Sequence, residues 1–248
     1  MTSLTEKKII AMVLFAGVLM CGCSASNKPV QDVSVHNVPP SYKVLDNTYW
    51  WRCKFKNVWP ANVGPDLVID LLLAHAVVSP VLVRHIDDIP YWRFHRRAAR
   101  DQAGQQFSLI FYSKPEIASA VFAEIHESEI LKRAISANLV ERVITDNPDH
   151  PNFSAIEATS DTHWSLDLQK NWPAFIMGVS SLWLGLIDES FQDSPENFAD
   201  IHRLLEKYRE IDAKIAEIWR TEGQHALLHH MNAVLGYKPL VIRKELSF

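Results

Sequence analysis

The stretch that most limits how this chain can fold is residues 89–113, IPYWRFHRRAARDQAGQQFSLIFYS. From Tyr91 onward the side chains alternate. Trp92, Phe94, Arg96 and Ala98 fall on one side of an extended backbone, and Tyr91, Arg93, His95, Arg97 and Ala99 fall on the other. Gln106–Tyr112 follows as a second extended segment rich in aromatic and aliphatic residues, with Phe107, Leu109 and Phe111 sharing a face. Asp101-Gln102-Ala103-Gly104 between them is turn chemistry, with Gly104 free to adopt positive φ. The segment therefore predicts a hairpin with Trp92 and Phe94 toward a core and Arg93, His95 and Arg97 on the opposite face. Solvation is the plainest use of such a face; its sharper use is to bind an anion or dock a partner.

The flanking segments supply what the hairpin needs. Tyr49–Lys56 alternates Tyr49, Trp51, Cys53 and Phe55 with Trp50, Arg52, Lys54 and Lys56, which predicts a strand whose polar face is again basic. After the WPANVG loop, a helix starts near Pro65-Asp66 and runs through LVIDLLLAHAVV until Ser79-Pro80 interrupts it, and Val81–His85 adds a short turn. Pro115 opens a helix over Glu116–Glu127 with the stripe Ala118, Val121, Phe122 and Ile125. A short helix at Ser128–Ala137 then leads to a strand at Leu139–Thr145. The order strand, helix, strand, strand, helix, strand predicts an α+β fold, a ferredoxin-like antiparallel sandwich with two helices on one sheet face. The other face would then carry Arg52, Lys54, Lys56, Arg93, His95 and Arg97.

Beyond the sandwich, residues 146–172 form a long segment with two prolines and many turn formers. Pro173–Ile187 is apolar almost all round and shorter than a bilayer span, which predicts a buried helix. Ser194-Pro195-Glu196 marks the next helix start. Phe198, Ile201, Leu205, Tyr208, Ile211, Ile215 and Ile218-Trp219 form its one-sided stripe, and Gly236 is its C-cap. Residues 46–146 are thus expected as the sandwich and 147–248 as a loop plus helical region packed on it. His75 and His85 are expected to be structural.

The N-terminus is an address. Lys7-Lys8 precedes Ile9–Met20, a run without a charged side chain that is too short for a transmembrane helix of about 20 residues but suits a secretory signal. It ends in Leu19-Met20-Cys21-Gly22-Cys23-Ser24, which resembles the lipobox of bacterial lipoproteins, with Met20 where that family has a branched residue three positions before the cysteine and Leu19 one further back. The resemblance implies a signal peptide over residues 1–22, lipidation of Cys23, a tether over residues 23–45, and a chain held to the membrane by its lipid. In that family an aspartate after the cysteine favours the inner membrane. Ser24 stands here, which implies the periplasmic face of the outer membrane. Lipidation leaves Cys53 as the one remaining thiol, unable to form an intrachain disulfide. The formal charge of −4 gives no reason to expect nucleic acid.

Chemistry-bearing motifs are few. Glu222 and His225 have E-x-x-H spacing, with His229 one turn later, a pattern that builds metal sites on helices, although no second E-x-x-H is present. There is no G-x-S-x-G, P-loop or G-x-G-x-x-G, and no cofactor is expected. From Pro80 to about Ser190 the order of elements resembles the C-terminal elimination-type domain of lantibiotic and thiopeptide dehydratases. The corresponding pieces are Tyr91–Asp101, Gln106–Tyr112, the helix after Pro115, LVERVITD at 139–146 and the helix holding Asp188-Glu189-Ser190. Where that family has a strand with one histidine and two arginines, this chain has Gln106-Phe107-Ser108-Leu109-Ile110-Phe111, so no catalytic residue carries over. The expectation is a lipid-anchored envelope protein that binds an envelope protein partner without catalysis. Arg52, Lys54, Arg93, His95 and Arg97 would make the contact, with Trp50 and Tyr91 as aromatic anchors, unless the acidic C-terminal helix (Glu206, Glu210, Glu217) covers that face. The competing expectation is an envelope enzyme using Glu222, His225 and His229 with a metal.

Overall fold

A computed structural model describes residues 45–192 and 200–239, which fall in one compact unit. The expected signal peptide, lipidation site Cys23 and tether up to residue 44, the helix start expected at Ser194-Pro195-Glu196 and the segment after Pro239 lie outside the described residues.

Four strands form one antiparallel sheet: β1 (Tyr49–Asn57), β2 (Tyr91–Ala98), β3 (Gln105–Ser113) and β4 (Val140–Thr145), in the order β2-β3-β1-β4. The helical crossovers between β1 and β2 and between β3 and β4 make this the ferredoxin-like α+β sandwich expected from the order of segments. Register follows the alternation of the sequence. Trp51 lies opposite Phe111, Cys53 opposite Leu109 and Phe55 opposite Phe107, and on the other side of β3, Trp92 lies opposite Phe111 and Phe94 opposite Leu109. All eight are buried on the helix-covered face and belong to the main core. A one-residue slip would carry that whole set to the other side of the sheet. Cys53 is fully buried at the centre, and burial first, then the charge of Asp146, pushes its thiol far above its ordinary value; it is a core residue, as expected.

The first crossover is α1 (Val68–Leu72), a π-helical turn (Leu73–Val78) and α2 (Ser79–Arg84) in one continuous helical run. Pro80 does not interrupt the helix as expected. A proline inside an α-helix lacks a donor and clashes with the carbonyl four residues back. Here the turn before it is widened, and the Ser79 N–H reaches back to the Ala74 carbonyl. Asp70, fully buried in α1, fastens this layer to the sheet: Asn57 Nδ2 donates to it at 2.9 Å and Arg96 Nε at 2.9 Å. The second crossover is α3 (Pro115–Glu127) and α4 (Glu129–Ser136), where Ser128 caps α4 by accepting from the Leu131 N–H.

The helix at residues 173–187 departs most from expectation. It is α5 (Leu166–Gln192), 27 residues long, and it is not buried. It is long and apolar enough by length and composition to cross a membrane, yet it packs along β2, the free edge of the sheet. Its inward line is Pro173, Ser180 and Ile187, seven residues apart. Leu166, Leu168, Phe175, Val179 and Leu182 each leave more than two-fifths of their surface exposed. At the middle, Ser180 Oγ accepts the Phe94 N–H at 3.1 Å and donates to the Ile176 carbonyl at 2.8 Å. A strand edge with free N–H groups invites pairing with another chain, and a covering helix removes that hazard. Finally α6 (Ile201–Gly223) lays Ile201, Leu204, Leu205, Tyr208 and Ile211 against the helical layer, largely on α1. It continues through a second π-helical turn (Gln224–His229) into α7 (His230–Val234), closed by Gly236 at φ 77°.

The Ser180 hydroxyl accepts a buried edge N–H, so Ser180→Ala leaves that donor without an acceptor. A loss of about 1–3 kcal/mol is expected, read as a lower urea midpoint together with faster hydrogen exchange at the Phe94 amide.

Candidate functional site: the outer sheet face

The face of the sheet away from the helical layer is built in rows set by the register. One row runs Arg142, Lys56, Gln106, Arg97; the next runs Ile144, Lys54, Ser108, His95; the third pairs Arg52, Ile110 and Arg93; the fourth pairs Trp50, Tyr112 and Tyr91. The predicted basic stripe is therefore assembled on one surface.

Half of that surface is not open. The segment after β4 crosses the fourth row: the Trp50 N–H donates to the Phe153 carbonyl at 2.8 Å, Trp50 Nε1 to the Ile156 carbonyl at 3.1 Å, and the Tyr112 hydroxyl to the Ser154 carbonyl at 2.9 Å. Trp50, Tyr91, Ile110, Tyr112 and Ile156 form a second buried cluster, with Ala174 and Met177 of α5 packed on it. This corrects the expectation that Trp50 and Tyr91 are aromatic anchors for a partner. Both are buried, because a sheet face carrying two tyrosines and a tryptophan buries enough apolar area to hold a roof from its own chain. The acidic C-terminal helix is not that roof. It lies on the opposite, helical side; Glu206 pairs with Arg209, Glu210 with Lys207 and Glu217 with Arg220.

The open part keeps its cations, several with their own carboxylates. Arg52 Nε pairs with Asp146 at 3.0 Å and its guanidinium lies 5.0 Å from the Phe153 ring. Lys56 pairs with Glu141 at 3.1 Å. Arg97 is bidentate to Asp101 in the hairpin turn and also donates to the Gly104 carbonyl at 3.1 Å. That hydrogen-bonded pair holds the Asp101 carboxyl down at about 2. Lys54 makes no ion pair among the described residues, and Arg142 is mostly exposed. His95, exposed beside Ser108, is pushed below its ordinary 6.5, by burial first and then by Arg93 and Arg97. Arg93 is half-buried, and its Nη2 donates to the Thr159 carbonyl at 3.1 Å. The surface left open is thus Lys54, His95 and Arg93, ringed by neutralised pairs.

Among the described residues the C-terminal histidines are not grouped as a metal centre. The rings of His225, His229 and His230 lie 5.1–5.3 Å apart, but His225 and His229 stack at 14°. Parallel rings present faces to one another, not nitrogens to a common point. Among the described residues no group of three His, Cys, Asp or Glu is placed to hold a metal ion, so Glu222, His225 and His229 do not assemble. The helix changes from α to π geometry between Glu222 and His225, which the spacing rule does not anticipate.

A cleft of about 630 Å³ lies between the first π-helical turn, α5 and α6, lined by His75, Ser79, Val83, Asp188, Leu204 and Tyr208 among others. Sequence reasoning does not find it, because its residues come from four distant segments. The Tyr208 hydroxyl donates to His75 Nδ1 at 2.7 Å and His75 Nε2 donates to Asp188 at 3.3 Å. Both ring nitrogens are engaged, and Gln192 holds the other Asp188 oxygen at 2.8 Å. No lone pair remains for a substrate proton, so His75 is a clamp between elements, as expected of a structural histidine. His85 does the same between α2 and α3 through Glu124 at 2.7 Å.

No family model matches this chain, and no curated protein or solved structure matches it either. The site is therefore argued from its own geometry.

Burial lowers the His75 value below 6.5, against a smaller upward pull from Asp188. Since the unfolded chain takes up the proton first, the stability held by neutral His75 is full above about pH 6.5 and is lost as pH falls from there toward the lower folded value. Unfolding free energy should drop across that window, and His75→Gln should flatten part of the drop, with His95 retaining a share. Urea titrations at pH 7.5 and 5.5 on both proteins check this.

Proposed function

We propose that this is a lipid-anchored protein of the bacterial cell envelope, on the periplasmic face of the outer membrane, that works without catalysis as a binding or assembly module for an envelope protein. The observation that carries the proposal is the open basic face on a chain of net charge −4, with cations arranged by sheet register on a rigid scaffold. Two further points support it. Lys7-Lys8, Ile9–Met20 and the Gly22-Cys23-Ser24 junction have the pattern of a lipoprotein signal. Among the described residues His75 has both ring nitrogens engaged, and Glu222, His225 and His229 are not grouped to hold a metal, so the basic face is the better-supported site.

The partner expected is one with an acidic surface. Charge complementarity of this kind mainly sets encounter rate and register, so the interaction should weaken as salt rises.

The anchor and the face are tested separately. Cys23→Ser should abolish incorporation of labelled palmitate and move the protein from the membrane pellet to the supernatant; unchanged labelling would sink the anchor. For the face, Lys54→Glu/Arg97→Glu protein, shown to fold by circular dichroism, is compared with wild type in cross-linking from solubilised envelopes. A defined partner captured by wild type should be lost in the variant. Equal capture would clear the face and leave the exposed side of α5 as the surface to examine.

A further inference from the structure

We propose that the exposed side of α5 lies in the surface of a phospholipid bilayer, with Leu168, Phe175, Val179 and Leu182 entering it. The proposal rests on the lipid-anchor reading for what keeps the domain at a membrane, and it adds a contact made by the folded domain itself.

The inference starts from the two sides of one helix. Pro173, Ser180 and Ile187 are buried along the inward line of α5. Phe175 and Leu182 follow Pro173 and Ser180 by two residues, about 200° around an α-helix, so they stand on the side turned away from the sheet. Val179 lies one turn from each, and Leu168 continues the same stripe toward the helix start. All four leave more than two-fifths of their surface exposed. No charged residue occurs between Lys170 and Asp188. A surface helix in water turns a polar side outward; this one turns an apolar side outward. Its inward side is built into the fold, since Ser180 accepts the Phe94 N–H and Ile187 belongs to the core. A helix fixed on one side and apolar on the other suits the plane of a membrane interface, where the apolar side sinks about 5–10 Å to the boundary of headgroups and acyl chains.

Two observations choose lipid over a second copy of this chain. The first is where the chain enters the domain. β1 begins at Tyr49, and Trp50 beside it sits in the cluster that Ala174 and Met177 of α5 complete. The chain leading back to Cys23 therefore joins the domain next to the N-terminal half of α5, and it extends no more than about 80 Å however it runs. In that half of α5 the Trp172 ring centre lies 4.7 Å from that of Trp164 and 5.2 Å from that of Phe175. Tryptophans favour the membrane–water boundary. The second observation is area. Taking about 200 Å² for a large side chain, Leu166, Leu168, Phe175, Val179 and Leu182, each about half exposed, present roughly 500 Å², short of the roughly 800 Å² per partner of a stable protein interface. A bilayer sets no such minimum, because a domain tethered to it meets it at high effective concentration and a shallow contact suffices.

The test uses the full chain, purified from membranes in nonionic detergent and reconstituted into vesicles of phosphatidylethanolamine and phosphatidylglycerol. Phe175→Cys, Val179→Cys and Leu182→Cys are each labelled with the environment-sensitive fluorophore NBD. Ile135→Cys, exposed on α4 beside β4 at the opposite edge of the sheet, is the control. Cys53 is buried, and wild type carried through the labelling gives the background. Nitroxide on the lipid acyl chains should quench the labels at 175, 179 and 182 several-fold more strongly than the label at 135. Adding Phe175→Glu and Leu182→Glu to the Val179→Cys protein should bring its quenching down to the control level. Thermal melts check each variant, and if one does not fold the other two positions decide. Palmitate incorporation on the same preparation scores the anchor separately. With palmitate present, equal quenching at all four positions leaves the anchor standing and overturns the lipid contact. Without palmitate the anchor falls, and the contact that rests on it falls too. A blue shift at 175, 179 and 182 that nitroxide does not quench, and that grows with the protein-to-lipid ratio, would give the face to a second copy and overturn the assignment to lipid.

Discussion

The arrangement depends on how the free edge of β2 is closed. An edge strand in a four-stranded sheet leaves alternate N–H and carbonyl groups without a ladder. Here α5 runs along that edge, with Ser180 accepting the Phe94 N–H at its midpoint. On one side of that contact, Ala174 and Met177 complete the roof over Trp50 and Tyr91; on the other, Trp183, Leu184 and Ile187 complete the core beneath the helices. A single helix thereby belongs to both faces of the sheet. It also decides what stays open, since the roof stops at Arg93 and leaves Lys54, His95 and Arg97 beyond it.

The sandwich was legible because period-two alternation is a local property of the chain. Trp51, Cys53 and Phe55, then Trp92 and Phe94, then Phe107, Leu109 and Phe111 each declare their side without reference to one another, and the register brings them together. The basic face was legible for the same reason. What alternation does not carry is what lies on top. Trp50 and Tyr91 read as exposed aromatics until a hydrogen bond from Trp50 to Ile156, 106 residues away, covers them. The apolar run at 173–187 read as buried because its composition is uniform. It is half-exposed because a helix beside an edge strand has only a narrow line of contact, which Pro173, Ser180 and Ile187 supply. Pro80 misled in a simpler way: the helix rule assumes an α turn before it, and a π turn removes the conflict.

Electrostatics on the open face are more selective than a count of cations suggests. Exposed pairs such as Lys56 with Glu141 contribute little to stability, yet they neutralise charge where they stand. They leave an uncompensated patch about Lys54, His95 and Arg93, set in a chain that is otherwise acidic. The His95 imidazole is pushed toward its neutral form, by desolvation first and then by Arg93 and Arg97. The field at the patch therefore rests on fixed charges, and its strength follows ionic strength more than pH near neutrality.

The same contrast separates the cleft near α6 from the open sheet face. A general base needs a free lone pair within reach of a substrate proton. The cleft near α6 contains a histidine, a tyrosine and an aspartate, the residue types of many acid–base sites, and spends them on each other: Tyr208 to His75, His75 to Asp188. On the sheet face the situation is reversed. The groups there are donors and cations with capacity to spare, Lys54 without an ion pair among the described residues and Arg93 with a buried N–H unmet. Cations held in sheet register beside a closed aromatic cluster give that face a positive field, with the His95 imidazole among them. The exposed apolar side of α5 shares no residue with the basic face.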